Sequence, residues 1–401
     1  MPLPLEFLMF GLMLLGVAIF HRHTLSIALL GLAAITAYKL LLGDFHGQPG
    51  LIGLQWHLLE EWVIVANLFG LLVGFALLAR HFEKSQLPLV LPRFLPDDWK
   101  GGLVLLALVF VLSAFLDNIA AALIGATVAG AVYRNKVHLG YLAAIVAAAN
   151  AGGSGSVVGD TTTTMMWLAG VAPFDVLHAY VAAVAAFVVF AIPAARQQQR
   201  FSPIEKDAAL DVQVDWSRLV VVGLILAGAI AANIYANRLP DGQGADFPYI
   251  GATVIGIILL LTPWRRPDWS AVPAAARGSV FLLSLVLAAS MMPVEDLPAP
   301  TALTTLGLGF VSAVFDNIPL TKLALDQGGY DWGALAYAVG FGGSMLWFGS
   351  SAGVAVSNLF PEARSAGQWL RQGWHVAVGY VVGFLVLMLV LGWNPQSSHR
   401  F

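Results

Sequence analysis

Two Asp-Asn pairs carry the chemistry that this sequence can do. Ser113-Ala114-Phe115-Leu116-Asp117-Asn118-Ile119 returns as Ser312-Ala313-Val314-Phe315-Asp316-Asn317-Ile318. Each copy lies inside a long apolar stretch, so each sets a carboxylate and an amide at bilayer depth. A carboxylate there is costly unless something compensates it. A helix that ends at such a pair and restarts after it leaves C=O and N–H groups unpaired at the break. Those carbonyls and the Asp carboxylates make an oxygen-rich site suited to Na⁺. Alternatively the carboxyl exchanges a proton, because removal from water disfavours its charged form. A plainer role is that each Asp caps a helix N-terminus, and capping is compatible with ion binding.

A second echo follows the first in both halves. Asn150-Ala151-Gly152-Gly153-Ser154 precedes Gly159-Asp160, and Gly340-Phe341-Gly342-Gly343-Ser344 precedes Gly349-Ser350 at the same spacing. Such Gly-rich runs break a helix and free its carbonyls, while hydroxyls add neutral oxygen ligands. Asp160 adds a third acid, or else caps the helix that starts at Thr161 and Thr162. Later threonines of that run are expected to bond back to the chain. The second half offers Ser344, Ser350, Ser351 and Asn358 but no acid. The candidate ion or substrate ligands are therefore Asp117, Asn118, Asn150, Gly153, Ser154, Asp160, Thr161, Thr162, Asp316, Asn317, Lys322, Ser344, Ser350 and Ser351. Asp117, Asp316 and Asp160 are the candidate ligands of a transported Na⁺. Lys322 needs an acidic partner at such depth. It neutralises Asp316 or Asp117 until a cation displaces it, attracts an anion, or snorkels to the outer interface near Asp326.

Composition sets the frame. Of 401 residues, 59% are hydrophobic and 11% charged, against about 25% charged in soluble proteins. The chain belongs in a bilayer. A net charge of −3 gives no case for nucleic acid. The absence of cysteine excludes disulfides, thiolate metal sites and cysteine nucleophiles. No phosphate loop, Ser/His/Asp set or metal cluster is legible, so neither an enzyme nor a cofactor is expected. Residues 1–20 lack Lys and Arg and read as a first span rather than a cleaved leader. His57, Glu60 and Glu61 read as outer-loop residues, and Glu295 and Asp296 as a solvated loop. Trp56, Trp62, Trp264 and Trp269 fit interfacial belts.

Apolar runs mark spans near 4–20, 25–42, 61–80, 174–195, 217–236, 248–263, 278–292 and 372–392. Four further runs, 101–132, 139–170, 300–326 and 332–359, are interrupted. Basic residues orient them. Segment 43–60 has no Lys or Arg and is placed outside. Segments holding Arg80, Lys84, Arg93 and Lys100, and then Arg134 and Lys136, are both placed inside. The run 101–132 therefore enters and leaves on one face, as a re-entrant hairpin with Asp117 at its tip. By the same count 300–326 is a hairpin from the outer face, and 139–170 and 332–359 are broken spans. Linker 196–216 joins a first half, 1–195, to a second, 217–392. Each half has three spans, a hairpin, a broken span and a final span, in opposite orientations. The expected fold is an all-α polytopic membrane protein built as an inverted repeat. Both termini fall outside, with Arg238 and Arg400 as exceptions to the charge rule.

These motifs resemble the NhaD-type sodium/proton antiporters, within a superfamily that also holds arsenite and citrate or dicarboxylate carriers. The carriers of the resemblance run through both halves: Ser113 to Asn118; Ala149 to Gly153 with Gly159 to Thr163; Phe315 to Pro319; and Gly342 to Met345 with Gly349 to Val356. The resemblance implies an elevator-type transporter, a mobile domain of hairpins and broken helices, a scaffold that is usually dimeric, and a bacterial inner-membrane location. The chain departs from the pattern at Ala120-Ala121-Ala122, where hydroxyl residues usually follow the first pair, and at Lys322. Carboxylate carriers have Ser-Asn-Thr at their tips; the two Asp residues here favour a cation or proton coupling. Na⁺ or Li⁺ exchange for H⁺ is the leading expectation. A carrier of a small organic anion coupled to H⁺ or Na⁺ is the rival. A structural or signalling membrane protein is a third reading, which leaves the buried acids without a reason.

Overall fold

A computed structural model shows how these runs fold. It describes residues 4–20, 23–45, 47–90, 94–205, 213–236, 239, 246–294 and 297–396. Among them no strand occurs, and the one extended contact is an isolated bridge between Phe45 and Gln48. The first helices are α1 (Leu5–Ile19), α2 (Thr24–Leu41), α3 (Gly50–Lys84) and α4 (Leu87–Val90). The first interrupted runs give α5 (Trp99–Ser113) and α6 (Asn118–Val132), then α7 (Leu139–Ser154) and α8 (Thr161–Leu168). Next come α9 (Pro173–Leu177), α10 (Ala179–Phe201), α11 (Trp216–Ala236), α12 (Tyr249–Leu261) and α13 (Val272–Ser290). The second interrupted runs give α14 (Ala302–Ser312) and α15 (Asn317–Gln327), then α16 (Trp332–Gly342) and α17 (Ser351–Leu359). The last two are α18 (Ala366–Gln372) and α19 (Trp374–Val390). Five described helices are long and apolar enough to cross a bilayer, or six if α18 and α19, bent by 65°, count as one.

Burial sorts the helices. Every residue of α7 and of α16 is buried. A helix apolar on all sides needs such surroundings. Around them stand α5, α6, α10, α14, α15, α17 and α19. The long helices α11 and α12 pack on each other and on α3, α13 packs on α3, and α2 lies between α13 and α1. Large apolar side chains point outward from this second group and from α19: Leu30 is 70% exposed, Leu260 79% and Leu389 84%. That surface matches hydrocarbon rather than water.

Glycine permits the closest approach in the centre. A Cβ on Gly152 of α7 would enter the backbone of Phe110 on α5, and one on Gly342 of α16 the backbone of Gly309 on α14. The two hairpin arms thus lie directly on the broken helices. Polar caps start these elements where the apolar runs begin: Asp98 for α5, His138 for α7, Asp331 for α16, and Thr301 with Thr304 in a capping box for α14.

The basic segments pair with one another. Lys84 is 2.8 Å from Asp268, and its ammonium holds that carboxyl down at about 2. Ser85 accepts from the Asp215 N–H at 2.9 Å, and Asp215 is 3.4 Å from Arg265. Arg134 pairs with Glu205 at 2.7 Å, and Gln198 bonds the Lys136 carbonyl at 3.0 Å. The segments without basic residues pair likewise: Gln327 with Pro298 at 2.8 Å, Tyr330 with Gln396 at 2.9 Å, and Asp331 with Asn394 at 3.0 Å.

Several boundaries differ from expectation. Segment 43–60 is a loop only before Gly50: α3 begins there and runs 35 residues, about 52 Å. Beyond Pro49 and Gly50 nothing stops it, because its later glycines stand singly. His57 and Glu61 are consequently buried helix residues, not loop residues. The start of linker 196–216 is helical, since α10 continues to Phe201. Arg93, Arg238, Glu295, Asp296 and Arg400 lie outside the described residues.

Candidate functional site

Four helix N-termini meet the broken centre, each capped by a side chain. Asp117 accepts from the Ile119 N–H at 2.8 Å, and Asp316 from the Ile318 N–H at 3.0 Å. Asp160 accepts from the Thr162 N–H at 3.4 Å, and Ser350 from the Gly353 N–H at 3.2 Å. They start α6, α15, α8 and α17. The capping role open to each Asp in the sequence is therefore taken. It leaves further lone pairs on every carboxylate. The positive end of each helix dipole also favours the negative charge beside it.

Asn150 ties the breaks together. Its Oδ1 accepts from Asn118 Nδ2 at 3.1 Å, and its Nδ2 donates to Ser344 Oγ at 2.9 Å and Ser350 Oγ at 3.1 Å. One fully buried amide thus joins α6, α7 and the break between α16 and α17. Ser156 Oγ donates to the Ala114 carbonyl at 2.6 Å, fixing the first break against the first tip. A Cβ on Gly340 of α16 would lie 3.3 Å from Asp160 Oδ2, so this carboxylate stands against α16.

The site is graded in exposure. Asp117, Thr161, Asp316 and Ser351 are half-buried, whereas Asn118, Asn150, Gly153, Ser154, Asp160, Thr162, Asn317, Ser344 and Ser350 are buried. Oδ2 of Asp160 and the Thr162 hydroxyl are buried without a hydrogen bond of ordinary geometry. A buried carboxylate oxygen left open is an invitation to a proton or a cation. No three Asp, Glu or His side chains among the described residues stand close enough to share one ion. Any cation held here must complete its shell with carbonyls, hydroxyls and amides.

Some candidates sit elsewhere. Thr163 and Thr164 bond back to the Asp160 carbonyl, each at 2.9 Å, as expected of the later threonines. Asn358 is exposed and takes a bond from Arg364 at 2.5 Å. Lys322 turns away from the tips. Its Nζ is 2.8 Å from Glu61 Oε1 and 2.8 Å from Asp326 Oδ1. Glu61 is the residue that sequence reasoning misplaced. The signal available was the rule that an intramembrane Lys needs an acid, with Glu60 and Glu61 among the few acids at hand.

No known family profile matches the chain. Individual proteins do. It is 26% identical over 292 residues to sodium/proton antiporter 1 of Arabidopsis thaliana, covering 64% of this chain and 49% of that protein. Sodium/proton antiporter 2 of the same plant is 26% identical over 280 residues, 61% of this chain and 66% of that one. The Na⁺/H⁺ antiporter NhaD of Vibrio parahaemolyticus is 27% identical over 297 residues, 62% of this chain and 71% of its own. This chain is similar to sodium/proton antiporters, NhaD among them. The resemblance expected from the motifs is thereby met. The matched stretch spans about half the length of the first of these relatives.

Proposed function

We propose that this chain is a secondary transporter that exchanges Na⁺ or Li⁺ for H⁺ across the bacterial inner membrane. The observation that carries this reading is that three carboxylates, Asp117, Asp160 and Asp316, each cap a helix at a break inside an apolar protein, with lone pairs left over. The names of the relatives agree with it. A cation arriving at the breaks takes oxygens from Asp117, Asp160 or Asp316 and from the broken backbone. Protons then leave the carboxyls to water on the side to which the site is open. After the site reopens on the other side, protonation ejects the cation. One group of acids thus holds either ion but not both, which is what couples the two fluxes.

In this reading the two halves are inverted copies. The ends of the α5–α6 pair lie among the basic segments, since α6 runs on to Arg134 and its pair Glu205. The ends of the α14–α15 pair lie among the non-basic ones, at Pro298, Gln327 and Tyr330. The group around α7 and α16 would be the moving part of an elevator, and α3, α11, α12 and α13 the scaffold of a homodimer. N- and C-termini would face outside. The organic-anion alternative loses its main support, because the Lys322 ammonium is engaged by two carboxylates.

The test uses purified protein in liposomes that enclose a pH-sensitive dye. External Na⁺ should drive proton release from the lumen. Asp117→Asn, Asp160→Asn and Asp316→Asn should each suppress it. A lumenal signal that ignores Na⁺ and Li⁺ at every pH, from protein that is folded and correctly inserted, would sink the proposal.

A further inference from the structure

At the end of the molecule where Lys84 meets Asp268, an apolar groove of about 320 Å³ runs between α3, α12 and α13. Val73 and Leu77 of α3 and Ile258 of α12 form its buried floor. Its exposed rim is Leu259 of α12, Trp269 in the 3₁₀ turn before α13, and Pro273 of α13. The groove lies on the open surface: a Cβ on Gly256 of α12 or on Gly278 of α13 would meet nothing within 4 Å. Every residue that lines it is apolar apart from the indole N–H at the rim. A polar ligand would leave its hydrogen-bonding groups unpaired there, whereas a hydrocarbon chain would not.

Two arginines stand beside the groove. Arg277 is one turn beyond Pro273 on α13, so the two share a face. Its Cα–Cβ bond tilts toward the N-terminus of that helix, the end at which Trp269 forms the rim. Val280, the next exposed residue of the same stripe, is apolar. Arg266 precedes Trp269 by three residues. Both arginines are exposed, and neither has a hydrogen bond or ion pair among the described residues. The acids of the neighbouring segments are engaged elsewhere: Asp268 by Lys84 at 2.8 Å, Asp215 by Arg218 and Arg265 at 3.4 Å each, and Glu83 by Arg80 at 2.6 Å. Helices α12 and α13 bring no acid. A guanidinium near the end of a lipid-facing helix reaches for the interface, where the anion that meets it is a lipid phosphate. A second copy seated here by two-fold symmetry would set this Arg-bearing face against itself.

We propose that this groove binds an anionic phospholipid, with one acyl chain on the floor formed by α3 and the phosphate held by Arg277 and Arg266. Helices α12 and α13 both pack on α3, and the acyl chain fills the seam between them. The site uses none of the residues at the helix breaks and is the same whatever ion they carry.

The test uses the full chain in detergent with phosphatidylglycerol that carries a photoreactive diazirine in one acyl chain, and phosphatidylcholine with the same chain. After illumination the labelled peptides are identified by mass spectrometry. Peptides that hold Leu259 and Pro273 should be labelled saturably by phosphatidylglycerol. Unlabelled phosphatidylglycerol should displace that label at least about tenfold more effectively than phosphatidylcholine, the order expected of two Arg side chains at an anionic headgroup. The exposed stretch at Leu389 of α19 should take both lipids alike and is the control. Arg266→Gln combined with Arg277→Gln removes only exposed charge. It should lower the phosphatidylglycerol label at the groove to the phosphatidylcholine level. Equal labelling of the groove by the two lipids, or a preference that survives both substitutions, overturns the proposal. So does a groove that neither lipid labels while Leu389 is labelled, the result expected of a second copy seated there. Labelling needs no transport, so failure of the lipid site and failure of Na⁺ exchange are read separately.

Discussion

Asn150 is the side chain on which the centre depends most. Its three hydrogen bonds reach Asn118, Ser344 and Ser350. Asn150→Ala leaves those buried groups without this partner, at about 1–3 kcal/mol of unmet desolvation. Thermal unfolding in detergent should show a clearly lower midpoint, and an unchanged midpoint would mean that the amide ties nothing. Asp160→Asn belongs to a different class. An amide keeps the cap and the shape but removes the exchangeable proton and the charge, so folding should persist while Na⁺-driven proton release is lost. At the periphery, the Lys84 ammonium holds the Asp268 carboxyl down at about 2. An Asp so depressed contributes its stability above the ordinary value near about 3.9 and loses it only as pH falls through the lower one. Asp268→Asn should therefore have a small effect that does not vary with pH across the neutral range, checked by unfolding midpoints. A pH-dependent difference there would contradict the assignment.

At the scale of elements, the question is why helices break where they do. Each hairpin turns at an Asp that serves as an N-cap; α16 stops at its Gly342-Gly343 pair, and α7 runs through Gly152-Gly153 to Ser154 before Gly155 caps it. The glycines do more than end a helix: Gly152 and Gly342 admit the neighbouring arm's backbone. Gly152→Ala or Gly342→Ala should overpack that contact at about 1–3 kcal/mol and push the arm off the broken helix. Gly256→Ala on α12 is the control, because a Cβ there meets nothing within 4 Å. Equal unfolding midpoints for Gly152→Ala and Gly256→Ala would refute the close-approach account.

At the scale of the whole molecule, the connecting segments sort into a basic set and a non-basic set. One joins Lys84, Asp215, Arg265 and Asp268, and the other joins Pro298, Gln327 and Tyr330 with the C-terminal Gln396. If the basic set faces the cytoplasm, Lys136→Cys should react with a membrane-impermeant maleimide only after the cells are opened. Pro395→Cys should react on intact cells. The reverse pattern would invert the proposed topology while leaving the helix packing untouched. Many exposed apolar side chains on the long helices, and connecting segments sorted into a basic and a non-basic set, suit a chain folded in a bilayer.

The two Asp-Asn pairs, the Gly-rich breaks and the polar caps are local signals. Residue type and spacing were enough to place them, because capping and chain breaking act within a turn of helix. The bond between Lys322 and Glu61 spans 261 positions, and no periodicity or composition reports such a partner. The early start of α3 was also hidden, since a segment without Lys or Arg reads as a loop by charge even where nothing stops its helix. Sequence alone singled out side chains as candidates to hold a cation or a proton. Only the tertiary structure decided which of them share one centre, through Asn150, and which charge belongs to a separate contact. That choice rests on how buried helices pack, and packing sets the distances over which charges compensate one another.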